Sequence, residues 1–296
     1  MDQQPGGACH SRRLRDFVAG TLAAGDNITG RELWLGLAAA VGLAAAAHGA
    51  EPAVPIQVRA EGSFPLQYTE SVGSTSRQHN LTAAPYVGLI ATAHLAPDVS
   101  TSVFVNGGHN ELGSFRDNDN TFVSAGGNLV KRWGALSAGI SVEHTHYYDG
   151  IFGPTTNMAN DVNLFAGYIW RPNPDLKITP AATVTVRLDD AFAVQRYTYG
   201  ARVEIEQRLS GPWWAFVTPR IRYADYVGSE AGRRDTRLAI VGGLKYVFND
   251  SVSARMLAGY ENRSSNVAGR GSDKFTVGVS LDFDVDFTRP RGTGSR

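Results

Sequence analysis

The sequence predicts an all-β chain: a single transmembrane antiparallel β-barrel of about twelve strands, with short periplasmic turns and longer outer loops. Three observations lead there. The run 274–287 alternates without a break, with Phe275, Val277, Val279, Leu281, Phe283, Val285 and Phe287 on one face and Thr276, Gly278, Ser280, Asp282, Asp284 and Asp286 on the other. Period two over that length is a β-strand with one oily and one wet face. Similar runs recur back to about residue 80, and a stretch that reads as a secretory signal precedes them.

That signal is the first element. Residues 1–50 read as a leader whose apolar core, 33–47, follows Arg31 and runs into Ala47, His48, Gly49 and Ala50. The core is too short to span a bilayer and suits a signal peptide cut after Ala50. The single cysteine, Cys9, lies ahead of it and leaves with it, so no disulfide or thiol chemistry is expected. The remainder divides into a short periplasmic segment at 51–63, a barrel at 64–287 and a tail at 288–296.

Within the barrel, strands are expected at 80–95, 99–106, 120–133, 135–147, 160–171, 176–187, 195–209, 213–226, 235–248, 251–263 and 274–287, with a weaker one at 64–72. Tight turns at 96–98, 133–134, 172–175, 210–212 and 249–250 alternate with longer polar loops at 107–119, 148–159, 188–194, 227–234 and 264–273. Short-long alternation is the signature of a transmembrane barrel, with the short turns in the periplasm. It also fixes parity. The run 80–95 is followed by a short turn, so an ascending strand must precede it, and 64–72 supplies one. Twelve strands result, with both ends in the periplasm.

Composition agrees with this class. The 296 residues carry 28 acidic and 28 basic side chains, with no block of like charges to suggest nucleic-acid binding. No apolar stretch has the length of a transmembrane helix. Aromatic residues gather near strand ends, at Trp133, Tyr147, Trp170, Trp213, Tyr246, Phe248, Tyr260 and Phe287, as interfacial girdles require. Pro85, Pro180 and Pro219 fall inside strands, where each removes a ladder hydrogen bond, so bulges are expected there.

The terminal strand carries a resemblance. Thr276, Gly278, Leu281 and Phe283, within the run 276–283, resemble the C-terminal assembly signal of bacterial outer-membrane β-barrel proteins. The hairpin 258–266 that leads into it is similar to terminal hairpins of porin-like barrels of uncharacterised families. The resemblance covers roughly the last 35 residues. It implies an outer-membrane location and recognition by the barrel-assembly machinery, with outer-membrane lipid and lipopolysaccharide as surroundings. The chain departs from the pattern by continuing past its last strand to Arg296.

No catalytic constellation and no cofactor site emerges. His144 and His146 share a face with Leu136, Ala138, Ile140 and Val142, while Ser141 and Glu143 point the other way, so this strand alone cannot pair a serine with a histidine. They are expected at headgroup level. His94 and His109 read as lumen or loop residues. Asp117 and Asp119 lack the glycine and distal glutamate of a calcium loop, and no metal site is expected. The candidate site is a ladder of charges on the wet face: Arg187, Arg202, Glu204, Glu206, Arg208, Arg220, Arg222, Arg237, Lys245, Arg255 and Glu261. In a water-filled lumen such charges set ion preference. In a narrow barrel, Arg–Glu pairs across strands close it instead. The expected function is a porin-like channel for passive diffusion of small polar or anionic solutes. A non-conducting surface barrel binding a partner or lipopolysaccharide through its loops, and a lipid-modifying barrel enzyme, are the alternatives.

Overall fold

Alternation of large apolar residues with small polar ones leaves a strand no way to bury its oily face except against lipid or a second layer, and the described residues form no second layer. The computed structural model describes residues 56–73, 77–112, 119–151, 153–188 and 194–288. Fourteen strands follow one another: β1 (Ile56–Gly73), β2 (Arg77–Ala83), β3 (Tyr86–Ala96), β4 (Val99–Leu112), β5 (Asn120–Trp133), β6 (Leu136–Asp149) and β7 (Thr155–Tyr168), then β8 (Trp170–Asn173), β9 (Leu176–Leu188), β10 (Val194–Ser210), β11 (Trp213–Tyr226), β12 (Arg234–Asn249), β13 (Val252–Ser265) and β14 (Ser272–Asp286). β2 and β3 form one stave and β7 and β8 another, which makes twelve staves. Each pairs antiparallel with the next, and β14 pairs with β1 from Arg59↔Asp286 to Gly73↔Ser272, closing the barrel.

Five connections, 97–98, 134–135, 174–175, 211–212 and 250–251, are two residues long and lie at one end. Gly134 and Gly211 supply the positive φ, 62° and 50°, that such tight turns demand. The connections at the other end are longer. Both β1 and β14 meet the short-turn end, where Arg59 faces Asp286.

The outward face is oily all the way round. Phe64, Leu66, Val87, Leu89, Leu129, Ile140, Leu164, Leu238, Ile240, Met256, Val279 and Leu281 are all exposed. A soluble chain does not leave so much contiguous apolar surface in water, so this band is a lipid face. Trp133, Trp170, Trp213, Phe248 and Phe287 gather on it at the short-turn end, where Trp213 and Tyr246 meet edge to face with ring centroids 4.9 Å apart. Tyr147 does not belong to that girdle. It faces inward beside Phe122, at 6.5 Å, because Phe122 is its direct partner.

The interior is packed where β3–β7 curve past one another. Phe104 and Ile90 are buried there, and each ring lies against a glycine one strand away: Phe104 on Gly126, Phe122 on Gly108, Phe165 on Gly139. On the outward face Phe283 covers Gly62 in the same way. A glycine without a side chain lets the aromatic ring of a neighbouring strand lie down and recover the lost contact.

Several boundaries differ from those expected. β1 begins at Ile56, so residues 56–63 belong to the wall and pair with β3 and β14. Their outward positions include Ala60 and Gly62, small residues sheltered by neighbours, so no oily period marks them. β4 runs on to Leu112 and β7 starts at Thr155, which shortens two of the expected loops. The leader 1–50 and most of the tail, 289–296, lie outside the described residues, as does Asp117.

The prolines sit at gaps in the ladder rather than at bulges. Pro85 lies between β2 and β3, where Pro65 and His109 pick up the backbone bonds. Opposite Pro180 the β7–β9 ladder stops at Gly167↔Ala181 and resumes in β8 at Trp170↔Ile178. Opposite Pro219 the β10–β11 ladder breaks between Arg202↔Arg220 and Ile205↔Val217. In each case the missing N–H removes a rung, and the register continues unchanged beyond it.

Candidate functional site

Directly paired residues of antiparallel strands share a face, so the register decides which charges line the interior. Arg187 pairs with Arg196, Arg202 with both Ala181 and Arg220, Glu204 with Thr179, and Glu206 with Lys177 and Phe216. Arg208 and Lys245 both face Trp214, Arg222 faces Arg237, Ala239 faces Glu261, and Lys245 faces Arg255. All eleven residues of the expected ladder therefore share the inward face. Of the terminal run, Thr276 and Gly278 face inward opposite Thr69 and Gln67, while Leu281 and Phe283 face lipid opposite Phe64 and Gly62.

Much of the ladder is tied by ion pairs between staves. Arg187 binds Asp161, its direct partner on β7, through both Nε and Nη2, the former at 2.7 Å. Glu206 stands between two ammonium groups, Lys177 at 2.7 Å and Lys245 at 3.2 Å. Arg220 reaches Glu261 at 2.7 Å, and Arg255 reaches Asp282 at 2.7 Å. Arg208 spans the Trp214 ring at 6.0 Å and donates to the carbonyl of Gly211. Asp161, Lys177, Asp235, Arg263 and Asp282 were not among the expected site residues. Their signal was parity: each falls on the wet face of its own strand, as the ladder residues do.

At the long-loop end the charges form a tighter knot. Asp235, almost wholly buried, accepts from Arg233 at 2.7 Å and from Arg263 at 2.5 Å, and Arg233 also binds Glu230 at 2.6 Å. The Arg233 guanidinium lies over the Tyr226 ring at 4.3 Å. Its hydrogen bond to Asp235 raises it above the ordinary arginine value, so it stays charged across the physiological range. Asn266 ties the neighbouring connection down by donating to the Gly232 carbonyl at 2.7 Å and accepting from the Arg234 N–H. Removing the charge with Asp235→Asn leaves two guanidinium groups facing one amide. A loss of about 2 kcal/mol is expected, read as a lower denaturant midpoint in lipid vesicles.

Arg222, Arg237 and Arg263 stand side by side on β11, β12 and β13, each the direct partner of the next. Among the described residues Arg237 has no carboxylate within ion-pair distance. Three guanidinium groups in one row repel one another. Asp235, bound to Arg263, offsets part of that repulsion, and the row places N–H donors on the inward face. The facing wall, on β4–β6, is mostly uncharged, with Ser102, Asn106, Ser124, Asn128 and Ser141 buried on the inward side, and it also carries the buried carboxylate of Glu143. The side-chain oxygens of Asn106, Ser124 and Asn128 have no hydrogen-bond partner among the described residues.

The histidines part company. His94 faces inward near the short turn, whereas His109 lies in β4 and faces outward, bonded to Thr121 at 3.0 Å. His144 and His146 face outward, and their strand partners are Ala125 and Asn160 for the first, Val123 and Met158 for the second. No serine stands opposite either. Among the described residues no group of three or more His, Cys, Asp or Glu converges as a metal cluster.

No protein-family model matches the chain, and no curated protein matches it. Solved structures do. An outer-membrane channel of Pseudomonas putida F1 aligns with 80% of this chain and 99% of its own, at 12% identity and a TM-score of 0.53. An anion-selective porin of Comamonas acidovorans aligns with 77% of this chain and 100% of its own, at 10% identity and a TM-score of 0.40. The β domain of a Bordetella autotransporter aligns with 76% of this chain and 99% of its own, at 9% identity and a TM-score of 0.45. Closed, antiparallel, even in strand number and oily on its outside, the chain has the fold of the bacterial outer-membrane β-barrels.

Proposed function

We propose that the protein is a narrow passive channel of a Gram-negative-type outer membrane, admitting small polar solutes and preferring anions. The observation that carries this reading is the inward row Arg222, Arg237 and Arg263, with Arg202 and Arg220 paired one step below it. A wall of guanidinium groups raises the local anion concentration and holds carboxylate or phosphate in fork geometry. The wall opposite is largely hydroxyl and amide, with Glu143 as its buried carboxylate. Twelve staves enclose less room than the 16–18 of general porins, and the cross-strand ion pairs narrow it further, which favours small solutes. In this reading lipopolysaccharide surrounds the wall. Thr276, Gly278, Leu281 and Phe283 act as the signal read by the barrel-assembly machinery.

Single-channel recording of the protein in planar bilayers tests the proposal. Discrete steps, with a reversal potential of anion-selective sign in a salt gradient, are expected. A second reading has its own support. Phe104, Phe122 and Asp235 are nearly inaccessible to solvent, and much of the ladder is ion-paired, as a plugged, non-conducting surface barrel would have it. A folded, heat-modifiable barrel that gives no steps would overturn the channel and leave that second reading standing.

A further inference from the structure

The outward face of β6 carries Leu136, Ala138, Ile140 and Val142 and then, near the long-loop end, two imidazoles. His144 and His146 are two residues apart on one strand face, and their rings meet edge to face with centroids 4.5 Å apart. Their Nε2 atoms converge to 2.5 Å. His144 Nδ1 lies 2.6 Å from Oδ1 of Asn160, and Asn160 is itself only 3% exposed. An amide oxygen can only accept, so His144 carries its proton on Nδ1 and turns a bare Nε2 lone pair toward His146. Two imidazole nitrogens that close share either the proton of an N–H···N hydrogen bond or a metal ion. Anchoring one ring nitrogen on an amide or carboxylate oxygen is also how proteins aim the other nitrogen at a metal.

The next strand supplies a third donor type. Met158 is the direct partner of His146 on β7 and faces the same way, so its thioether belongs to the same patch. Tyr148 stacks on the far side of His146 at 6.2 Å and limits its rotation. Val123, Ala125 and Val142 complete an apolar surround. Two imidazoles and a thioether are borderline-to-soft donors, with no carboxylate on this patch to attract calcium or magnesium. Imidazole affinity among divalent first-row ions peaks at copper, and thioether favours Cu(I).

We propose that His144, His146 and Met158 form a copper site on the lipid-facing rim of the barrel, with Asn160 as the positioning residue for His144. Bound metal would spread the two Nε2 atoms to roughly 3 Å, since each metal–nitrogen bond is about 2 Å long. Side-chain rotation alone provides that. The remaining coordination positions open toward the headgroup layer, where water or a phosphate oxygen can fill them. The site stands apart from the interior and does not depend on the channel reading.

Titration of the protein in detergent micelles with Cu(II), followed by electron paramagnetic resonance and calorimetry, tests this. The expected result is one Cu(II) per barrel with splitting from two imidazole nitrogens. In the double variant His144→Phe/His146→Phe, shown to be folded by heat-modifiability, affinity should fall at least tenfold and the two-nitrogen signal should vanish. Equal binding by wild type and double variant, or a wild type without that signal, would overturn the site and leave a proton-shared histidine pair. Met158→Leu should weaken Cu(I) while sparing Cu(II), and unchanged Cu(I) affinity would overturn the thioether's part.

Discussion

Phe104→Ala is expected to destabilise the barrel by roughly 3–5 kcal/mol, the range for emptying a fully buried aromatic site. Phe104 is 1% exposed and packs with Ile90 on the inward side of β3–β5. Neighbouring staves are locked into a closed ladder and cannot collapse into the space, so the cavity term should be near its full size. The glycine beneath the ring makes the test sharper. A Cβ on Gly126 would stand 2.6 Å from the Val142 carbonyl oxygen and closer still to the Phe104 ring. Gly126→Ala should therefore cost about 1–3 kcal/mol by overpacking. Combining it with Phe104→Leu, which withdraws the ring, should cost less than the two single changes added together, because the residues share one contact. Guanidinium unfolding in lipid vesicles reads all four proteins. Strict additivity would show that ring and glycine do not act as one unit.

That packing pair also shows what the sequence could not reveal. Period two identifies which face of a strand is wet, and it placed the ladder from Arg187 to Glu261 on one side before any register was known. The twelve staves and both ends at the short-turn side followed from loop lengths. Pairing across strands did not, because it depends on register, which turns and bulges decide locally. Nothing near Arg187 in the sequence names Asp161 as its partner, and nothing near Arg263 names Asp235. The start of β1 was missed because Ala60 and Gly62 stand where large outward residues would mark the period, Gly62 lying under the Phe283 ring. The start of β7 was missed because Thr155, Thr156 and Asn157 are polar on both faces. Tyr147 was read as a girdle residue from its place near a strand end, yet parity puts it beside Phe122. The histidine pair was legible as a lipid-facing couple. Its link to Asn160 required the register of β6 on β7.

Register also sets up the second large effect, at Arg237. This guanidinium is flanked on its own row by Arg222 and Arg263, whose side-chain bases lie about 5 Å away across adjacent strands. Arg237→Glu exchanges a row of three like charges for an alternating one. If the row existed for structure, such a change would weaken the barrel. The electrostatics predict the opposite, a small gain of roughly 0.2–0.5 kcal/mol, because Arg263 already holds Asp235 two residues along the same face. In the same molecule the lumen charge at this row changes by two units. The reversal potential in a salt gradient should move from anion-selective toward cation-selective, with Arg237→Gln intermediate. The shift should be larger in dilute salt, since screening reaches about 10 Å at 0.1 M. Arg234→Gln is the control: that side chain is exposed, pairs with Asp225 at 3.4 Å and lies on the other face, so selectivity should not move. A variant at once more stable and less anion-selective would mean that the arginine row is kept at a cost to the fold for the sake of what passes it. A variant that loses stability and leaves selectivity unchanged would return Arg237 to the wall as ordinary packing.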